Sequence, residues 1–112
     1  IALRLDAAEV HLDVNRAIPC ALIVNELVTN AIKHAFPDGR RGEIYIALRK
    51  ANDEVVLTVS DSGIGLPPAF DWRIATSLGL QIVSLLADQM GAVINVSNVI
   101  GARFELCFKG EV

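Results

Sequence analysis

Four side chains along Glu26-Leu27-Val28-Thr29-Asn30-Ala31-Ile32-Lys33-His34-Ala35-Phe36 are spaced for joint chemistry. At about 100° per residue, a helix sets Glu26, Asn30 and His34 on one stripe with Lys33 beside them. Asn25 and Thr29 run along its edge, while Val24, Leu27, Val28, Ala31 and Ala35 form an apolar band on the other side. A solvated helix face usually carries plain Glu and Lys pairs. A carboxylate, a carboxamide, an imidazole and an ammonium in one row are instead groups that hold a metal and phosphates.

Two further places could act on the same ligand. Asp61-Ser62-Gly63-Ile64-Gly65 follows a strand-like run, so a carboxylate stands at a strand end before backbone that turns without a Cβ. It could accept a hydrogen bond from the exocyclic amine of a flat ligand; a plain turn is the simpler reading. Gly79, after Ser77-Leu78, opens an apolar helix whose free amides could receive a phosphate. No Gly-Lys-Ser/Thr of a Walker loop occurs, and the third glycine of a dinucleotide fingerprint is missing, with Pro68 at its position.

The elements that must position these groups follow from periodicity. Alternation marks strands over 1–5 and 10–14, around a turn at Asp6-Ala7-Ala8-Glu9. Asn15 is placed to cap a helix reaching about Phe36, where Pro37-Asp38-Gly39 stops it. Strands over 43–50 and 55–60 flank a turn at 51–54. The stretch from Leu66 to Ser77, with two prolines and no period, reads as a loop over a site, with Trp72 inside it either gating or packing locally. A second helix spans Leu78 to Met90, with Leu78, Ile82, Leu85, Leu86 and Met90 as its expected buried stripe and Gly91 capping its end. A hairpin of 93–97 and 104–109 closes the chain, with Phe104, Leu106 and Phe108 facing one way. The expected fold class is α/β, a two-layer sandwich of a mixed, mostly antiparallel sheet covered on one face by helices.

The totals narrow the function classes. A chain of 112 residues, 53% hydrophobic and 21% charged, holds one domain with one core. A net charge of −3 argues against a nucleic-acid partner, and no apolar run approaches the roughly 18 residues of a membrane span. No signal peptide is visible, and Cys20 and Cys107 belong to no CxxC pair, which fits a cytoplasmic, reduced protein. Cys20 falls near the apolar side of the first helix as a core thiol, and His11 on the polar side of its run as a solvated side chain.

In order along the chain, the Glu-Asn helix, the Asp-x-Gly-x-Gly strand end, the loop and Ser-Leu-Gly-Leu resemble one known fold. It is the nucleotide-binding fold of gyrase, the ninety-kilodalton heat-shock chaperone, mismatch-repair ATPases and sensor histidine kinases. Asn25 to Phe36 is similar to the N box of bacterial histidine kinases, in the branch related to the HWE kinases, where a His follows Lys. Ser77-Leu78-Gly79-Leu80-Gln81-Ile82-Val83 and Gln89-Met90-Gly91 match that branch too. The resemblance implies ATP and Mg2+ as ligands, with Asn30 binding the metal through its amide oxygen. It further implies that Glu26 orders metal-bound water or assists the accepting imidazole, with Lys33 and His34 along the phosphates. Asp61 would recognise the adenine amine, Gly63 and Gly65 would admit the base, and Ser77, Gly79 and Leu80 would shape the lid's return. Two departures stand out: Ala102 replaces the family's Thr near adenine, and the strict HWE group's Trp-x-Glu signature is absent.

The function so implied is the catalytic domain of a sensor histidine kinase, residues 1–112 of a longer protein. It would pass the γ-phosphoryl group to a histidine on a separate dimerisation domain and act indirectly on a response regulator. His34 itself is not the expected acceptor, and the isolated domain is expected to be monomeric, without direct membrane contact. A serine kinase of the same fold acting on an anti-sigma antagonist, or a nucleotide-binding module without turnover, are the alternatives.

Overall fold

The computed structural model describes residues 1–7, 9–36, 41–66, 78–98 and 100–109. Five strands and two helices follow in the order β1 (Ala2–Ala7), α1 (Val14–His34), β2 (Glu43–Ala51), β3 (Glu54–Asp61), α2 (Leu78–Met90), β4 (Val93–Asn98) and β5 (Ala102–Lys109). They build one sheet in the order β1-β2-β3-β5-β4. Among the described residues only β1 pairs in parallel, on β2, across the long excursion through α1. The other pairings are antiparallel, so the sheet is mixed and mostly antiparallel, as its alternating strands suggest. The β2–β3 hairpin turns through Asn52, whose φ of 60° is a left-handed value that Asn tolerates better than most residues.

Both helices lie on one face of the sheet. Ile23, Leu27 and Ala31 of α1 and Leu80, Val83 and Ala87 of α2 meet Ile44, Leu57 and Leu106 from the strands in a single core. Fully burying side chains such as Ile23, Ile44, Val83 and Leu106 stabilises the fold by about 1.5–3 kcal/mol each. A smaller cluster of Cys20, Val55 and Phe108 closes the end near the start of α1, and burial pushes the Cys20 thiol up to about 11. At one edge, every residue of β1 is exposed. Leu3 and Leu5 lie in register with the buried Ile44 and Ile46, yet remain exposed.

Three local expectations are corrected. Residues 10–13 form no strand, and Val14 is already helical, because Asp13 rather than Asn15 caps α1. The Asp13 carboxylate accepts from the Arg16 amide at 3.0 Å and from Arg16 Nη1 at 3.1 Å, which fixes the start one turn before Pro19. Helix α2 spans the expected residues, and Leu86 and Met90 of its expected stripe pack on the core, but Leu80, Val83 and Ala87 form its buried centre. Leu78 and Leu85 are 71% and 58% exposed, while Val83 and Ala87 are buried. Gln81, Ser84, Asp88 and Gln89 share one side of the helix, and Leu78 and Leu85 fall on that polar side. The Gly91 cap holds: φ is +68°, and the amides of Gly91 and Ala92 donate to Asp88 and Ala87.

Candidate functional site

Helix α1 carries the polar stripe across the middle of the molecule. Its core-facing residues recur at Cys20, Ile23, Leu27 and Ala31, which rotates Glu26 and Asn30 to the half-buried shoulder beside α2. Lys33 and His34 stand exposed in the last turn, where the Lys33 ammonium suits the negative end of the helix dipole. The missing side chain of Gly79 lets the first turn of α2 close on this shoulder. A Cβ there would lie 2.7 Å from Glu26 Oε2 and 3.6 Å from Asn30 Oδ1. Leu80, the next residue, is buried in the core and pins that turn in place.

The Asn30 carboxamide is the unusual group. Its Nδ2 is buried and has no hydrogen-bond partner among the described residues. Buried polar atoms are normally paired, so an unpaired amide beside a half-buried carboxylate is a place for a polar ligand. No bond from the described residues pins this nitrogen, so a half-turn of the amide can present oxygen instead. Among the described residues no three His, Cys, Asp or Glu side chains gather as a metal cage. A Mg2+ ion nevertheless fits the donors present, since it commonly takes one or two protein oxygens and completes its shell with water and phosphate.

The segment from Asp61 to Leu66 forms a second wall, at the C-terminal end of α1. It has no helix or strand beyond Asp61, yet almost every residue is tied down. Asp61 Oδ1 accepts from the Gly63 amide at 2.9 Å and the Ala102 amide at 3.4 Å. The Ser62 amide donates to the Glu43 carbonyl, and the Glu43 amide donates to Ser62 Oγ at 2.9 Å. Gly63 lies so close to the Ala35 carbonyl oxygen that a Cβ would collide with it, and the Ile64 amide donates to that same oxygen at 3.0 Å. Gly65, at φ +80°, packs against the Asn98 side chain. Asn98 then holds both backbone groups of Leu66, at 3.0 and 2.9 Å. The second carboxylate oxygen of Asp61 takes part in none of these bonds.

The structure therefore gathers Glu26, Asn30 and Gly79 at one place, and Asp61, Gly63 and Gly65 at another. Ala35, five residues after Asn30 and about 7–8 Å further along the helix axis, links the two. Ser77, Trp72 and the loop read as a lid lie outside the described residues, apart from Leu66 at its root. Asn98 and Ser62 escaped sequence reasoning. An Asn ahead of a hairpin turn and a Ser between Asp and Gly look like ordinary turn residues. The only signal was the proximity of Asn98 to Gly101, which brings one hairpin back beneath Asp61.

Residues 15–112 match the family model described as "Histidine kinase-, DNA gyrase B-, and HSP90-like ATPase". The chain is similar to the Blue-light-activated histidine kinase 2 of Erythrobacter litoralis, 34% identical over 98 residues, covering 87% of this chain and 28% of that protein. It is also similar to the Sensor histidine kinase PdtaS of Mycobacterium tuberculosis, 41% identical over 78 residues, covering 69% of this chain and 16% of that protein. The chain thus spans less than a third of these curated relatives. Among solved structures, the histidine kinase domain of an Erythrobacter litoralis blue-light activated histidine kinase superposes with a TM-score of 0.89 at 30% identity. That likeness covers 97% of this chain and 51% of the other.

Proposed function

This chain belongs to the family of histidine kinase-, DNA gyrase B- and HSP90-like ATPases, and on that premise we propose that it is the ATP-binding catalytic domain of a sensor histidine kinase. The observation that carries this reading is the unpartnered Asn30 amide beside Glu26, with Gly79 holding the space open. Asp61 accepts the adenine amine with its second carboxylate oxygen, while Gly63 and Gly65 leave the base room to approach. Asn30 would hold Mg2+ through its amide oxygen, and Lys33 and His34 lie along the phosphates. Bound Mg2+ would supply neutralisation of the phosphate oxygens. Ser77, Gly79 and Leu80 shape the return of the chain towards the phosphates.

Phosphoryl transfer depends chiefly on positioning and charge, so this sparse donor set is chemically sufficient. A histidine nitrogen of a separate dimerisation domain bonds to the γ-phosphorus as the bond to the bridging oxygen breaks and ADP leaves. Glu26, the half-buried carboxylate of the stripe, takes the proton that the imidazole sheds. The phosphohistidine then serves a response regulator, so the chain affects that partner only indirectly. This reading places the domain in the cytoplasm as a monomer within a longer protein. Among the described residues no helix is long and apolar enough to cross a membrane.

Titration calorimetry with Mg-ATP tests the site. The wild-type chain is expected to bind, and Asp61→Asn to weaken binding by tenfold or more, because a donor amide replaces one acceptor facing the adenine amine. Undiminished binding by Asp61→Asn would show that adenine lies elsewhere. Transfer of labelled phosphate to a separately made acceptor domain tests the kinase step. ATP binding without any transfer would favour a nucleotide-binding module.

A further inference from the structure

We infer that Asn98 is a positioning residue for the nucleotide, a latch that sets the Asp61–Leu66 wall before any ligand arrives. This rests on the nucleotide reading of the site and deepens it. The β4–β5 hairpin touches that wall at both ends. At one end the Ala102 amide donates to Asp61 Oδ1, and Gly101 packs against the Asp61 carbonyl so closely that a Cβ would strike it. At the other end Asn98 stands at the close of β4, with its side chain against Gly65. Its Oδ1 accepts from the Leu66 amide at 3.0 Å, and its Nδ2 donates to the Leu66 carbonyl at 2.9 Å.

Those two bonds copy the pairing that a neighbouring strand would give, on a residue that belongs to no strand. They hold Leu66 directly after Gly65, whose φ is left-handed. A carboxamide alone among small side chains offers an acceptor and a donor on one rigid plane, so it grips both peptide groups of one residue at once. Asn98 reaches no position assigned to the phosphates. Its effect on binding comes from holding the wall in the competent shape, so that ordering costs less when the base docks. If the unlatched wall is competent only about a tenth of the time, apparent affinity drops about tenfold.

The experiment compares the wild-type chain with Asn98→Ala and Asn98→Asp. Three quantities are read: the Kd of Mg-ATP and of ADP, the thermal midpoint, and hydrogen exchange of the Leu66 amide without nucleotide. Asn98→Ala is expected to weaken both nucleotides by a similar factor of about ten and to speed Leu66 exchange. Its midpoint should move little, since Asn98 is exposed. Asn98→Asp keeps the acceptor but sets a second oxygen against the Leu66 carbonyl, so it should fare no better than Asn98→Ala. Wild-type affinity in Asn98→Ala, a lowered midpoint with unchanged Kd, or wild-type behaviour of Asn98→Asp would each overturn the latch. If the wild-type chain bound neither nucleotide, the functional reading would fall by itself. The latch would then stand or fall on whether Leu66 exchange accelerates in Asn98→Ala.

Discussion

The wall from Asp61 to Leu66 and the stripe from Glu26 to His34 meet near the end of α1, and their polar groups are handled in opposite ways. The wall satisfies its backbone from three directions: the end of α1, the start of β2 and the β4–β5 hairpin. The stripe has no such partners. Among the described residues no hydrogen bond engages the side chains of Glu26, Lys33 or His34, and the amide nitrogen of Asn30 is buried unpaired. A flat, neutral base gains most from a surface already in shape, because it brings little charge of its own to organise one. Phosphates with a metal bring charge in plenty, and a stripe left unpaired holds its bonding capacity for them. The cost of that reserve is one unsatisfied buried group.

The two regions should therefore break differently. The largest effect is expected at Gly63, where an added methyl would run into the Ala35 carbonyl oxygen, a backbone atom that cannot swing aside. Chemical denaturation of Gly63→Ala should show a loss of about 2–4 kcal/mol, as overpacking against fixed backbone does. Asn30→Ala should do the reverse. Removing an unpaired buried amide should leave unfolding free energy unchanged or raise it by about 1 kcal/mol, while Mg-ATP affinity falls by tenfold or more. A destabilised Asn30→Ala protein would show that this amide has a structural partner after all, and the contrast would collapse. The smallest change is expected for Ala102→Thr. Ala102 is buried and its amide already serves Asp61, so one added hydroxyl should tighten Mg-ATP by about fivefold at most. A gain well beyond that in calorimetry would mean the wall is less complete than its bonds indicate.

Much of this was legible in the residues, and the exceptions share a cause. The span of α2, the β2–β3 turn, the strand alternation of β5 and the stripe of α1 all rest on local pattern, and local pattern was enough. The buried face of α2 was read in part: Leu86 and Met90 pack on the core, while Leu78 and Leu85, apolar in type, stand on the side that carries Gln81, Ser84 and Asp88. The start of α1 turned on which of two capping residues won, and Asp13 also had Arg16 to bind. Asn98 was invisible because its partner lies 32 residues away, beyond any periodicity. The glycines were visible as glycines. What each one admits (Glu26 at Gly79, the Ala35 oxygen at Gly63) belongs to the assembled fold.

The parallel pairing of β1 with β2 sets an order in time. Ala2 faces Glu43 and Ala7 faces Leu48, so β1 can join the sheet only after the chain has travelled through the whole of α1. The β2–β3 hairpin, by contrast, closes across Asn52 and Asp53. Closing the longer loop costs more chain entropy and returns little burial, since Leu3 and Leu5 stay exposed even when docked. Strand β1 should thus dock after the β2–β3 hairpin has closed, with protection of the β2–β3 amides preceding that of β1 in pulsed exchange during refolding. It is also the strand that the rest of the domain can most readily do without for a moment, which makes this edge the natural point for the fold to open.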